Sequence, residues 1–189
     1  MIAVLLGAPG AGKGTQAQLA AESQGWTHLS TGDLLRSEVA AGTELGEQAN
    51  AYMSKGDLVP DELMVAMVAG RVAELAPDDV LLLDGFPRTL PQAQALEEAA
   101  PGGSIGLALY FTAPDAELTT RLLGRGRADD TREVIEHRLA VYRETTEPLV
   151  AWYRDRGMLR EVQADRAIEL IQPDMVQAVR AALSDVPQS

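Results

Sequence analysis

The sequence predicts an α/β fold in one domain, a parallel five-stranded sheet covered by helices on both faces. Three observations carry this. Short runs rich in Leu, Ile and Val alternate with longer stretches of helical period. Three of the strand candidates, Ile2–Leu6, Val80–Asp84 and Ile105–Thr112, are apolar runs instead of alternating, as strands buried on both faces are. The chain has 189 residues, 46% apolar and 23% charged, which suits a single core.

Taken in order, Ile2–Leu6 reads as a buried strand, followed by a glycine-rich loop and a helix from about Lys13 to Ser23. Thr27–Ser30 is a weaker second strand. Val80–Asp84 (VLLLD) and Ile105–Thr112 (IGLALYFT) are unbroken apolar runs, and Met158–Gln163 supplies the fifth strand. Helices are expected over Leu90–Ala99, Asp115–Leu123 and Arg132–Arg156. A last one should run from about Pro173, as a first-turn proline, to Leu183. Two segments leave this rhythm. Thr31–Val59 contributes helices around Asp33–Ala41 and Leu45–Ser54 with no strand between them, and leads into KGDLVP. Gly124–Thr131 (GRGRADDT) is short, glycine-rich and charged. Both read as excursions beyond the carboxyl ends of the strands, where open α/β sheets bind their ligands.

Acidic residues number 28 against 16 basic, giving a formal charge of −12 and a sequence pI of about 4.5. A general nucleic-acid or anionic-membrane binder needs the opposite balance. Any anionic ligand must meet positive charge concentrated locally. There is no cysteine, which excludes a disulfide scaffold and any thiolate-held zinc or iron–sulfur group. The start, MIAVLLGAPG, carries no basic leader and its apolar run stops at Gly7, so neither a signal peptide nor a membrane span is expected. The expected location is the cytoplasm.

The chemistry begins at Gly7–Thr15 (GAPGAGKGT), between the first strand and the first helix. Glycines let successive N–H groups point inward, and the helix N-terminus adds partial positive charge. Lys13 can then reach β- and γ-phosphates. The usual pattern puts Ser or Thr directly after the lysine; here Gly14 intervenes before Thr15. The segment reads as a phosphate loop.

GAPGAGKGTQ is followed by LSTGDLLR (Leu29–Arg36), GDLVP (Gly56–Pro60), LDGFPRT (Leu83–Thr89) and GRGRADD (Gly124–Asp130). With these motifs the chain resembles the adenylate kinases, whose own form of the loop has the extra glycine. The resemblance implies a P-loop NTPase-type fold in one domain, 1–189. It also implies a helical AMP-binding excursion (30–59) and a short lid (124–134). The implied reaction is reversible, in-line transfer of the γ-phosphoryl of Mg-ATP to AMP, giving two ADP with no covalent enzyme intermediate. Long-lid relatives often hold zinc with cysteines, which this chain lacks.

The same resemblance assigns roles. Gly10, Ala11, Gly12, Lys13, Gly14, Thr15, Arg121, Arg125 and Arg166 would hold ATP; Arg166 stands where relatives show a glycine beside the donor adenine. Thr31, Arg36, the Asp57–Leu58–Val59 backbone, Gly85, Phe86, Pro87, Arg88, Gln92, Arg127 and Arg138 would hold AMP. Phe86–Pro87 matches a family element with a cis peptide bond. Catalysis would fall to Lys13, Arg88, Arg125, Arg127 and Arg138. Asp84, with Asp33 opposite, would hold Mg2+ through water. Partners would be ATP, AMP and ADP, with neither nucleic acid nor membrane, and the family default is a monomer.

The residues support this chemistry on their own. An AMP phosphate has a second pKa of about 6, so it is largely dianionic at neutral pH and needs no general base. His28 and His137 accordingly read as structural. The reaction needs positioning and cations, and 14 of the 16 basic residues are arginines, whose planar fork suits phosphate. A UMP/CMP kinase is the nearest alternative; Thr31 argues against it, since pyrimidine-preferring relatives tend to carry Ala there. A nucleotide-regulated switch is the other, but no Asn-Lys-x-Asp string occurs.

Overall fold

The computed structural model describes residues 1–76, 78–100, 104–127 and 130–185. Its five strands are β1 (Ile2–Gly7), β2 (Thr27–Ser30), β3 (Leu81–Asp84), β4 (Ile105–Thr112) and β5 (Leu159–Gln163). All pairings are parallel, in the order β2–β3–β1–β4–β5. Central β1 is buried along its length, and its side chains alternate between two cores. Ile2, Val4 and Leu6 join Leu81 and Leu83 on one face; Ala3 and Leu5 join Leu82, Leu107 and Leu109 on the other. Two buried faces explain why these strands read as unbroken apolar runs.

The first face is covered by α4 (Asp61–Ala73), α5 (Leu90–Ala99) and α8 (Pro148–Asp155). The second is covered by α1 (Lys13–Gln24), α6 (Asp115–Arg125), α7 (Arg132–Val141) and α9 (Ile168–Asp185). Two further helices, α2 (Thr31–Ala41) and α3 (Glu44–Met53), pack on each other between β2 and α4. The chain leaves β1 toward β2 and leaves β3 toward β4, on opposite sides, so a crevice opens beyond the carboxyl ends of β1 and β3. Asp84 lies beside Leu5 across that pair.

Several expectations change. Helix α4 forms where the sequence marks no helix: Met64, Val68 and Val72 are buried, but Leu63, Val65 and Met67 are apolar too and blur the period. The Arg132–Arg156 stretch is α7 and α8 joined by one π-helical turn, Tyr142–Thr146, in which Glu147 N donates to Tyr142 O at 2.9 Å. Pro148, with no N–H, stands just after it. The last helix starts at Ile168, so Pro173 is interior and not a first-turn residue; the helix loses one hydrogen bond there. Helix α6 runs on to Arg125 and takes Gly124 into its last turn, with left-handed Gly126 ending it. Residues 128 and 129 of the expected lid, including Asp129, lie outside the described residues.

Candidate active site

The phosphate loop folds as its residues require. Gly10 and Gly12 take left-handed φ of 88° and 87°, and Gly12 is the N-cap of α1 without any side-chain cap. The amides at the start of α1 are thereby left for a ligand. Lys13 Nζ folds back over the loop, donating to Gly7 O at 2.7 Å and Ala8 O at 3.1 Å. Burial pushes its ammonium pKa down to about 8, against the pull of the Asp84 carboxylate.

Asp84 ends β3 beside this loop. Burial alone would raise its carboxyl, but His28 and the charges of Lys13 and Arg88 hold it below the ordinary carboxylate range. His28 Nε2 stands 3.9 Å from Asp84 Oδ2, beyond hydrogen-bond length. A Cβ at position 14 would come within 3.1 Å of Asp84 Oδ2. Gly14 therefore lets the carboxylate approach the loop, a physical reason for glycine where other phosphate loops carry a hydroxyl residue.

After Asp84 comes the second half of the site. Gly85 has φ 84°, and a Cβ on it would lie 2.6 Å from Thr31 Oγ1. The Phe86–Pro87 peptide is cis. Arg88 Nε donates to Gly85 O at 2.8 Å, and burial lowers the guanidinium pKa from its ordinary value. Arg88 N donates to Gln92 Oε1 at 2.7 Å, and Gln92 Nε2 donates to Asp61 Oδ1 at 2.7 Å. The other Asp61 oxygen accepts from Thr89 Oγ1 at 2.8 Å. Each end of the Gln92 amide thus has a protein partner.

The excursions supply the remaining cations. Arg36 pairs with Asp33, and Arg127 reaches the same carboxylate at 3.5 Å. Burial would raise the Asp33 pKa, yet hydrogen bonds from Arg36 and Ser30 hold it low. Arg125 grips Asp130 with its fork, at 2.8 and 2.7 Å, and Arg138 Nη1 reaches Asp130 at 3.1 Å. The Asp130 side chain is 1% exposed, a counter-ion enclosed by two arginines. Arg121 Nη2 donates to Ala164 O at 2.8 Å, and Arg166 Nη2 to Asp174 Oδ2 at 2.6 Å. Asp57 meets His137 Nε2 at 2.7 Å.

These groups converge on one cavity of about 1110 Å³. Every sequence-predicted residue lines it except Thr31 and Phe86. Thr31 is fully buried, with its hydroxyl donating to Asp84 O at 3.2 Å; Phe86 is 1% exposed in the core beneath. Nor does Thr31 cap α2, because Ser30 does. Eight basic residues line the cavity against five acidic ones among the described residues, although acids outnumber bases 28 to 16 in the chain. The positive charge is concentrated where an anion would sit. Asp61 and Thr146 escaped the sequence reading. An acid after a proline reads as a helix first-turn residue, and nothing in ETTEP marks its second threonine.

Asp84 and Asp33 offer hard oxygen ligands on this cavity, and no group of three or more His, Cys, Asp or Glu stands ready to hold a metal among the described residues. A sparse carboxylate set beside a phosphate loop fits Mg2+, which keeps most of its waters and takes phosphate oxygens as ligands.

A family model described as adenylate kinase matches residues 5–158. An adenylate kinase of Mycobacteroides abscessus is 54% identical over 157 residues, covering 82% of this chain and 87% of that relative. One from a Synechococcus species is 51% identical over 170 residues, covering 89% and 92%, and one from Thermobifida fusca is 46% identical over 187, covering 96% and 99%. Agreement on this scale, together with a phosphate loop and an arginine-lined cavity at the sheet's switch point, has one reading: the chain belongs to the adenylate kinase family, phosphotransferases that act on nucleoside monophosphates.

Proposed function

We propose that this cavity takes ATP at the phosphate loop and AMP at the Gly85–Gln92 side, with the γ-phosphoryl passing directly between them. The observation that supports this most is the continuity of the cavity, which joins Lys13 to Arg88 and is lined by eight cations. The Gly10 and Gly12–Thr15 amides and Lys13 would hold the β- and γ-phosphates, while the Ala11 N–H donates to Ala8 O at 3.1 Å. Arg121 and Arg166 would flank the donor nucleotide. Arg36 and Arg88 would hold the AMP phosphate, and the Asp57–Val59 backbone would face its base. Thr31 would act from behind, by fixing the Asp84 carbonyl.

In the transfer, an AMP phosphate oxygen forms a bond to the γ-phosphorus as the bond to the β,γ-bridging oxygen breaks. The electron pair stays on the departing ADP, and no proton need move. Arg125, Arg127 and Arg138 would stabilise the charge shared over the transferring oxygens. Mg2+, when bound with ATP, neutralises phosphate oxygens; Asp84 and Asp33 would hold its waters. We take the chain as one domain whose 30–59 and 124–134 segments close over both substrates. No described helix is long and apolar enough to cross a membrane, and we read the protein as a cytoplasmic monomer.

A coupled assay of ADP formation with AMP, UMP, CMP and GMP as acceptors tests the assignment. AMP should exceed the others by at least about a hundredfold in kcat/KM, as sites built on hydrogen bonds discriminate. Comparable turnover of UMP or CMP would overturn it.

A further inference from the structure

We propose that Thr146 is a positioning residue for Arg88, and that the π-helical turn at Tyr142–Thr146 delivers its hydroxyl. Thr146 is 7% exposed, and its Oγ1 donates to Arg88 O at 2.9 Å across 58 residues of sequence. Its neighbour shows the ordinary alternative. Thr145 Oγ1 bonds back to Val141 O at 2.7 Å, as helical threonines do. One inserted residue turns everything after it by about 100° relative to an unbroken α-helix. The insertion ends at Thr146, and its hydroxyl leaves the helix for the Arg88 loop.

The Arg88 carbonyl needs such a donor. Thr89 is the N-cap of α5, so residue 88 precedes the helical ladder and its carbonyl has no place in it. With Thr146 on the carbonyl and Gln92 on the N–H, the Arg88 backbone is held on both sides. Gln92 is itself fixed by Asp61. Arg88 Nε is committed to Gly85 O, so the fork available to a phosphate is the pair of terminal nitrogens, and its aim is set by these backbone contacts. Reacting groups tolerate little misplacement, so loosening one side of this clamp should be felt in catalysis.

This inference rests on Arg88 holding the acceptor phosphate. The experiment is a cycle of Thr146→Val and Arg88→Ala, with Thr146→Ser and Thr146→Ala alongside so that a folding defect in one variant cannot decide the outcome. Tm, kcat and both KM values are read for each. Thr146→Val and Thr146→Ala should lower kcat/KM for AMP on the order of tenfold while KM for ATP stays within about twofold. Thr146→Ser, which keeps the hydroxyl, should stay within about threefold of the parent. In the Arg88→Ala background, removing the hydroxyl should cost nothing further. Equal losses on both substrates, failure of serine to rescue, or an undiminished effect without Arg88 would each overturn the proposal. If Arg88→Ala leaves kcat/KM for AMP intact, the assignment of Arg88 to the phosphate fails instead, and the cycle separates the two failures.

Discussion

Lys13→Met should separate catalysis from stability. The methionine keeps most of the side chain's length and removes its charge. The shift of the ammonium pKa from 10.5 to about 8 sets an upper bound of about 3 kcal/mol on what the fold pays to keep the charge there. The real figure is smaller, because Lys13 is part exposed to the cavity and solvent screens it. Against that relief stand the bonds to Gly7 O and Ala8 O, each contributing on the order of 1 kcal/mol net. The balance predicts a Tm unchanged or raised by a few degrees in thermal unfolding. The phosphate, by contrast, loses a charge-assisted donor, and kcat should fall roughly a hundredfold to a thousandfold. A variant that keeps kcat within tenfold of the parent would refute the phosphate role of Lys13. A Tm lowered by more than about 4 °C, about 1 kcal/mol or more for a chain of this size, would refute the claim that the buried charge is a cost.

Three further outcomes follow from the same geometry. kcat/KM for ATP should fall as pH rises past about 8, since the free enzyme's Lys13 loses its proton there, and Lys13→Arg should remove that alkaline limb. The sign for stability is opposite: a folded pKa below the unfolded one means fewer bound protons in the native state, so thermal stability from this group rises between about pH 8 and 10.5. Arg127→Ala and Arg138→Ala should lower kcat by about a hundredfold while ATP affinity, measured by calorimetry, changes less than about threefold. A bisubstrate analogue joining two adenosines through five phosphates should slow hydrogen exchange in both the 30–59 and 124–134 segments. Protection confined to the phosphate loop would mean that the lid does not close over the substrates.

What the sequence by itself determined is what depends on neighbours along the chain. Ile2–Gly7 and Ile105–Thr112 were legible because strands buried on both faces have no polar side to interrupt the run. The phosphate loop was legible because backbone curl, helix start and lysine all fall within nine residues. The motifs named the arginines one by one, but not their partners from other segments of the chain. Only the tertiary structure brought Arg127 to Asp33 across 94 positions, set Asp61 on Gln92 across 31, and took Thr31 out of the cavity to hold the Asp84 carbonyl. It also broke the long helix at Tyr142, where a hydroxyl is drawn to a carbonyl 58 residues away. Such bonds leave no period in the sequence, because their energy depends on two surfaces that meet only after the sheet has formed.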